Sequence, residues 1–507
     1  MEGSTLYYCI KLRISELLQS LQEAVVYIGQ QSKIPTQLLA DCNQALSQII
    51  KTSQQEEDAQ DLVQSLQLLI GDFLQPPSPL ADWTDKVCER LYKTYRILWD
   101  SVPTRWRMVF LPYNASMWSC MESLWEAADE DPQCDTYVVP IPYYTLLGDQ
   151  KSNKYNYHGD MYPANVPVVD YQTIDLEKMH PEFIIIHNPY DDMNNLTRVP
   201  SKFFSSNLSK YTCCLVYSPY FTFFNHTSDI DTTNRLISAP AVANCDKVLV
   251  QSNTVKEHFI KCNIPSEKLL SLGSAKIDYI VNSIHDNRVQ IPQEWKNKIG
   301  NRKRILYTFS LSCAYNPVWL EGVYNCMKTY WNDPDLGFIL RPHPLVQDYC
   351  INRQRNIDLL NKIYQFAQSD ERWVLDTNSD YMPAFQFSDG FMLSDSSSLI
   401  NEYMATGKPI YWDHMNYDVM PATTTKKGHL FADMTVLYCP RKCVGLSDLE
   451  CHYKGTDMFF SIVKGQTKDT KKEKRMYEVQ RYFENVDGSA GSKIYQALVK
   501  EYIQLPQ

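Results

Sequence analysis

From the N-terminus to about residue 98, apolar positions recur every third or fourth residue. Ile14, Leu17, Leu18, Leu21, Val25 and Ile28 form one stripe, Leu39, Cys42, Leu46 and Ile49 a second, and Leu62, Leu66, Leu69 and Phe73 a third. That spacing places each set on one face of an α-helix. Pro35 and the Gln54-Gln55-Glu56-Glu57-Asp58 stretch separate the stripes, and Pro76-Pro77-Ser78-Pro79 precedes a fourth helix with Trp83, Val87, Leu91 and Leu98 on one side. The polar faces are rich in glutamine, with 13 between Gln19 and Gln75, and poor in Lys and Arg. The stripes are therefore read as the core of a small bundle and not as membrane-surface helices.

After Arg105 the pattern changes to short apolar runs separated by helical segments: Met108–Leu111, Tyr137–Val139, Phe183–Ile186, Cys214–Tyr217 and Lys247–Val250. Runs without alternation predict strands buried on both faces, as in parallel sheets. A second series follows at Ile305–Thr308, Gly337–Leu340, Trp373–Leu375, Gly390–Leu393 and Pro409–Tyr411. Two such series predict an α/β chain of two doubly wound, Rossmann-like domains behind a small all-α module. The expected division is a helical module over 1–98, a first α/β domain over 99–290, and a second over 291–507 ending in a tail helix. The polar stretch at 282–303 marks the boundary. A ligand is expected between the two domains, at the carboxyl ends of their strands.

The chain has 507 residues, 44% apolar and 21% charged, which fits several globular domains. Its 49 basic and 59 acidic residues give a net charge of −10, the wrong sign for tracking nucleic acid phosphates. No stretch approaches the roughly 20 apolar residues that span a bilayer, and Met1-Glu2-Gly3-Ser4 has no leader pattern, so a cytoplasmic protein is expected. The 15 cysteines, scattered from Cys9 to Cys451, read as reduced thiols. Cys439, Cys443, Cys451 and His452 offer four zinc ligands in a spacing that matches no standard pattern; the alternative is three buried thiols and a surface imidazole.

Two loops carry candidate chemistry. The run Gly337–Leu340 leads into Arg341-Pro342-His343-Pro344, a stiff turn that presents a guanidinium and an imidazole, suited to an anion. The alternative is an Arg capping a helix and a surface His. Ser394-Asp395-Ser396-Ser397-Ser398 follows the next run and precedes a helix bearing Glu402. Its amides and hydroxyls suit phosphate, and Glu402 suits ribose hydroxyls, unless the serines are an ordinary helix cap. Asp229-Ile-Asp231 and Asp333-Pro-Asp335 match the D-x-D of metal-dependent glycosyltransferases only loosely, and no catalytic metal or cofactor is expected. Glycine-rich nucleotide loops are absent, which argues against a dehydrogenase or an ATPase. The basic run Lys464, Lys468, Lys471, Lys472, Lys474 and Arg475 suits anionic lipid at the inner face of the cell membrane or a polyphosphate acceptor, but interleaved Asp469 and Glu473 favour a solvated helix face.

Asp246–Ser252, Leu272-Gly273-Ser-Ala-Lys276-Ile-Asp278, Leu340–Pro344, Ser394–Ser398, Gly407-Lys408-Pro409 and Asp487-Gly-Ser-Ala-Gly491 occur in an order that resembles the CDP-glycerol glycerophosphotransferases of wall teichoic acid and capsule synthesis. The resemblance covers roughly 105–500 and leaves out the helical module. It implies a GT-B fold, a nucleotide donor in the second lobe, and attack of an acceptor hydroxyl on the β-phosphorus of CDP-glycerol with release of CMP. On the donor side it implies Gly273, Arg341, His343, Ser396, Ser397, Ser398 and Glu402. The partners implied are CDP-glycerol or a related nucleotide donor and a polymer or lipid-linked acceptor.

The family's presumed base is a histidine in the first βα loop, and here Leu111-Pro-Tyr113-Asn114-Ala-Ser116-Met-Trp118 has none. Asn114 and Ser116 face the acceptor in this reading but cannot act as bases near neutral pH. The expected replacement is His187, followed by Asp191 and Asp192, with its ring facing the cleft opposite His343; a structural His bonded to a loop carbonyl is the alternative. Asp191 and His158 come next. Two further readings stand beside the first: a GT-B glycosyltransferase using a nucleotide sugar, and a catalytically silent relative that binds nucleotide and acts as an assembly module.

Overall fold

The structure, a computed structural model, describes residues 6–504 apart from 32, 55–58, 75, 77–79, 147–152, 195–196, 224–236, 287–288, 316, 379, 395–398 and 414–455. The N-terminal stripes form α1 (Tyr8–Gly29), α2 (Thr36–Ser53), α3 (Gln60–Leu74) and α4 (Leu80–Asp100). Their apolar faces share one core that includes Leu18, Leu21, Val25, Leu46, Leu66 and Val87. Trp83 packs edge-on against Phe73, with ring centroids 5.8 Å apart. Leu17 falls on the flank of its stripe and is 39% exposed.

The foot of α1 is tied to the first α/β lobe by buried polar contacts. Lys11 lies fully buried, its Nζ donating to Thr104 Oγ1 at 2.8 Å and to the Val102 carbonyl, and burial pulls its pKa down to about 8. The Tyr7 hydroxyl donates to Asp135 and the Cys9 amide to Glu182 Oε1, each at 2.8 Å. Cys9 is joined there to Cys213, a departure from the expectation of thiols throughout. Sequence spacing could not show this, because 204 residues separate the two. Cys439, Cys443, Cys451 and His452 lie outside the described residues.

The first lobe is built on β1 (Trp106–Leu111), β2 (Cys134–Val138), β5 (Phe183–Ile186), β7 (Cys214–Tyr217), β8 (Lys247–Val250) and β9 (Leu269–Ser271). They form a parallel sheet in the order β2-β1-β5-β7-β8-β9. Beside it sits a small antiparallel sheet, β4-β3-β6, of β3 (Tyr143–Thr145), β4 (Lys154–Asn156) and β6 (Thr197–Arg198). The second lobe has β10 (Lys303–Phe309), β11 (Leu336–Pro342), β12 (Trp373–Leu375), β13 (Gly390–Ser394) and β14 (Ile410–Asp413), all parallel in the order β12-β11-β10-β13-β14. Two doubly wound sheets behind a helical module are the α/β architecture expected from the apolar runs. Strand order reverses between β1 and β5 and again between β10 and β13, and loops leaving such reversals part to leave a crevice.

The chain returns to the first lobe at its end. Helix Ala490–Tyr502 packs on α5 (Glu122–Asp129), and Asp278 secures it by accepting from the amides of Gly491 (2.7 Å) and Ala490 (3.2 Å) and from Ser123 Oγ (2.9 Å). Burial pushes the Asp278 carboxyl up to about 6 despite these donors. A Cβ at Gly491 would stand 2.3 Å from Ser123 Oγ, so only glycine lets the helix approach. In the basic run, Lys464 pairs with Asp333 at 2.6 Å and Arg475 is buried against Asp469 and the Gly407 carbonyl, while Lys468, Lys472 and Lys474 are exposed. Asp333 thus faces a lysine, and Asp229 and Asp231 lie outside the described residues. No helix among the described residues is long and apolar enough to cross a membrane.

Candidate functional site

At the reversal in the second lobe, β11 delivers His343 beside the end of β10, where its amide donates to the Phe309 carbonyl at 3.1 Å. The half-buried ring accepts at Nδ1 from the Leu345 amide, 3.2 Å away. An amide can only donate, so Nδ1 is bare and the neutral ring carries its proton on Nε2. Burial lowers the His343 pKa to about 4, which keeps the ring neutral at cellular pH. The result is a fixed N–H donor on the loop that leaves β11.

Arg341 takes a different place from the one expected. Its side chain is only 6% exposed and pairs with Asp376, with further bonds to the carbonyls of Asn378 (2.9 Å) and Asp380 (3.2 Å). It secures the loop that follows β12 and does not stand ready for a pyrophosphate. The physical reason is that a buried guanidinium needs a carboxylate, and the fold supplies one 35 residues downstream. Glu402 is likewise engaged: fully buried, it accepts at Oε1 from Lys276 Nζ at 2.9 Å. Lys276 comes from the first lobe's last helix, Ala275–Asp286, also donates to the Tyr220 carbonyl at 3.0 Å, and lies 5.5 Å above the Tyr381 ring. Burial and then the Glu402 charge raise the Tyr381 phenol well above its usual value. Glu402 therefore joins the lobes, where a ribose contact was expected. Ser396, Ser397 and Ser398 lie outside the described residues. Gly273 holds a left-handed φ of +100°, and a Cβ there would meet the Glu484 carbonyl oxygen at 2.3 Å. It permits a close backbone crossing and has no side chain to offer a donor.

At the reversal in the first lobe, Asn114 caps the turn Ala115–Cys120, its Oδ1 accepting from the Ser116 amide (3.0 Å) and hydroxyl (2.8 Å). The two expected acceptor-side residues thus satisfy each other. His187 follows β5 but is fully buried: Nε2 accepts from the Tyr113 amide at 3.0 Å and the ring stacks on Tyr113 at 4.7 Å. Tyr220 meets it edge-on at 6.1 Å. Burial lowers its pKa to about 3. The ring expected to face the cleft is a structural pillar under the first loop. Asp191 gives it no electrostatic help, because both of its oxygens are held by Ser205, from the amide and the hydroxyl at 2.8 Å each. Burial raises the Asp191 carboxyl, and its φ of +47° belongs to this tight turn.

His158, the lesser candidate, reaches the same first loop from the opposite side. Its Nδ1 lies 3.4 Å from the Ala115 amide and its Nε2 3.2 Å from the Tyr143 hydroxyl. It is half-buried, and burial lowers its pKa while Asp160 opposes the shift. Burial and then the charge of Asp348 raise the Tyr143 phenol. Asp348 belongs to helix Leu345–Asn352, which begins two residues after His343. Tyr143 on the first lobe therefore sits within electrostatic reach of Asp348 on the second, and the Tyr279 hydroxyl donates across the same boundary to Asp380 at 3.1 Å. Tyr143 carried no signal in the sequence beyond its aromatic ring, and Lys276 stood in a quoted motif with no role assigned.

No protein-family profile and no curated protein matches the chain. Solved structures similar in fold include MnaA of S. aureus with UDP, at 12% identity and a TM-score of 0.47 over 79% of this chain and 97% of that one. UDP-GlcNAc 2-epimerase from Neisseria meningitidis bound to UDP-GlcNAc has 14% identity and a TM-score of 0.43 over 78% and 100%. The wall teichoic acid polymerase TagF soaked with CDPG has 13% identity and a TM-score of 0.48 over 78% and 89%.

Proposed function

We propose that the chain is a GT-B-type transferase that takes a nucleotide-activated donor in the second lobe and moves a polyol phosphate, with CDP-glycerol as the leading donor, to a hydroxyl of a cell-wall or capsule polymer, releasing CMP. The observation that supports this reading is the His343 ring, fixed at the end of β11 with its Nε2–H unspent, on a loop whose next helix carries Asp348 within electrostatic reach of Tyr143, the partner of His158. In phosphoryl transfer the protein's main work is positioning and charge stabilisation. A neutral N–H donor suits the oxygen that leaves with CMP, whose charge grows as its bond to the β-phosphorus breaks. The acceptor-side task passes from His187 to His158, whose ring is half-open and reaches the Tyr143 hydroxyl. The test is a donor screen with purified full-length protein, following CMP or UDP release with and without polymer acceptor. CMP release from CDP-glycerol that disappears in His343→Ala supports the reading; UDP release from a nucleotide sugar moves it to a glycosyltransferase. Donor binding without turnover of any donor favours the silent-relative reading, which draws support from a first loop whose Asn114 and Ser116 side chains are spent on each other.

A further inference from the structure

Away from the crevice, where α1 lies against the first lobe, ligand atoms of Cys9, His180 and Cys213 all lie within 4.8 Å of one another. We propose that in the reduced protein these three side chains hold one zinc-class divalent cation, and that the Cys9–Cys213 disulfide is the form of the site that releases it. Two thiolates and an imidazole are the ligand set that zinc favours. His180 Nδ1 is buried without a hydrogen-bond partner among the described residues. An atom buried in that way is costly to leave without a partner, and coordination there would remove the cost.

The surroundings fit a built site. Glu182 does not compete as a ligand, since its two oxygens accept from the amides of Cys9 (2.8 Å) and Arg107 (2.7 Å) and so fix the backbone beneath the cluster. Arg13 and Arg107 bring positive charge beside His180, which favours thiolates. Cys9 is buried and Cys213 exposed, giving an entry path and a fourth position open to water. Zinc binding displaces one proton from each thiol. A small-molecule disulfide accepts the two electrons, leaving as two thiolates while the Cys9–Cys213 S–S bond forms and the ion is freed; a dithiol reductant reverses this and becomes a disulfide itself. Because Cys9 belongs to α1 while His180 and Cys213 belong to the lobe, the ion would staple the helical module in place.

The experiment uses the full chain, reduced with a phosphine, loaded with zinc alone, desalted and analysed for metal, with affinity read by a chromogenic chelator. The expected result is about one ion per chain more than in the Cys9→Ser/Cys213→Ser double variant, with His180→Ala binding on the order of 100-fold more weakly. Wild type oxidised to the disulfide, checked by thiol counting, loses that ion; this comparison holds even where the double variant fails to fold. Equal zinc in reduced and oxidised wild type overturns the proposal, as does zinc lost only on replacing Cys439 and Cys451.

Discussion

Each lobe reverses its strand order once and carries a histidine just beyond a neighbouring strand, yet the two rings differ in what is left to them. His187 is fully buried: its Nε2 takes the Tyr113 amide, Tyr113 stacks on the ring and Tyr220 meets it edge-on. His343 spends only Nδ1, on the amide that opens the next helix, and keeps Nε2–H for whatever enters the crevice. Both rings are neutral at cellular pH because burial disfavours their charged form. Neither neutrality nor a spare nitrogen makes a site: His187 Nδ1 is also without a partner among the described residues but is sealed in the core, whereas the His343 ring is partly open.

The largest effect that would sharpen this contrast is expected at His158. Replacing it with Ala should cut turnover by roughly 100- to 10,000-fold while leaving donor affinity nearly unchanged, as for loss of general-base help. Steady-state kinetics alongside donor calorimetry check this, and a normal turnover removes His158 from the acceptor side. Next comes the ion pair between lobes. Lys276→Met strands Glu402 in a buried position and should destabilise the fold by about 3 to 5 kcal/mol, with much of the loss recovered in Lys276→Met/Glu402→Leu. Chemical denaturation reads both.

His343→Ala should weaken donor binding by roughly 1.5 to 3 kcal/mol, measured by calorimetry with CDP-glycerol and UDP-sugars in parallel. With its folded pKa near 4, His343 contributes no titration to donor affinity between pH 6 and 8. An inflection near pH 6.5 that vanishes in His343→Ala would contradict the tautomer assigned here. His187 gives the smallest effect at neutral pH. Its folded pKa of about 3 lies below the unfolded value, so its stabilisation is complete above about pH 6.5 and is lost as pH falls toward 3. His187→Gln should therefore flatten acid unfolding across that window and leave turnover at pH 7.5 close to wild type. A large loss of turnover would restore it as a catalytic candidate.

The sheets were legible because their strands are buried on both faces: Phe183–Ile186, Cys214–Tyr217 and Lys247–Val250 coincide with β5, β7 and β8. The three-stranded sheet of Tyr143–Thr145, Lys154–Asn156 and Thr197–Arg198 was not, since short, partly exposed polar segments show neither period. That omission hid Tyr143, and with it the reason to prefer His158. The site was less legible for a related cause. Arg341 looked free because Asp376 and the carbonyls of Asn378 and Asp380 come to it only through the fold, and Asp191 looked like a partner of His187 because Ser205 is invisible at that range.

The returning chain meets the first lobe where that lobe's last helix begins. Glu484 and Asn485 run beside Leu272-Gly273, just before helix Ala275–Asp286. The Glu484 amide donates to the Gln251 carbonyl and Asn485 Nδ2 to the Leu272 carbonyl, each at 2.9 Å. Two backbones sewn side by side tie the returning segment to the first lobe partly through main-chain atoms, which no side-chain change along it removes. Gly273 sits at that crossing. A side chain there would push against the Glu484 carbonyl and pry the two strands of the seam apart, so a single methyl group would act on the packing of the whole C-terminal return and not on any one contact.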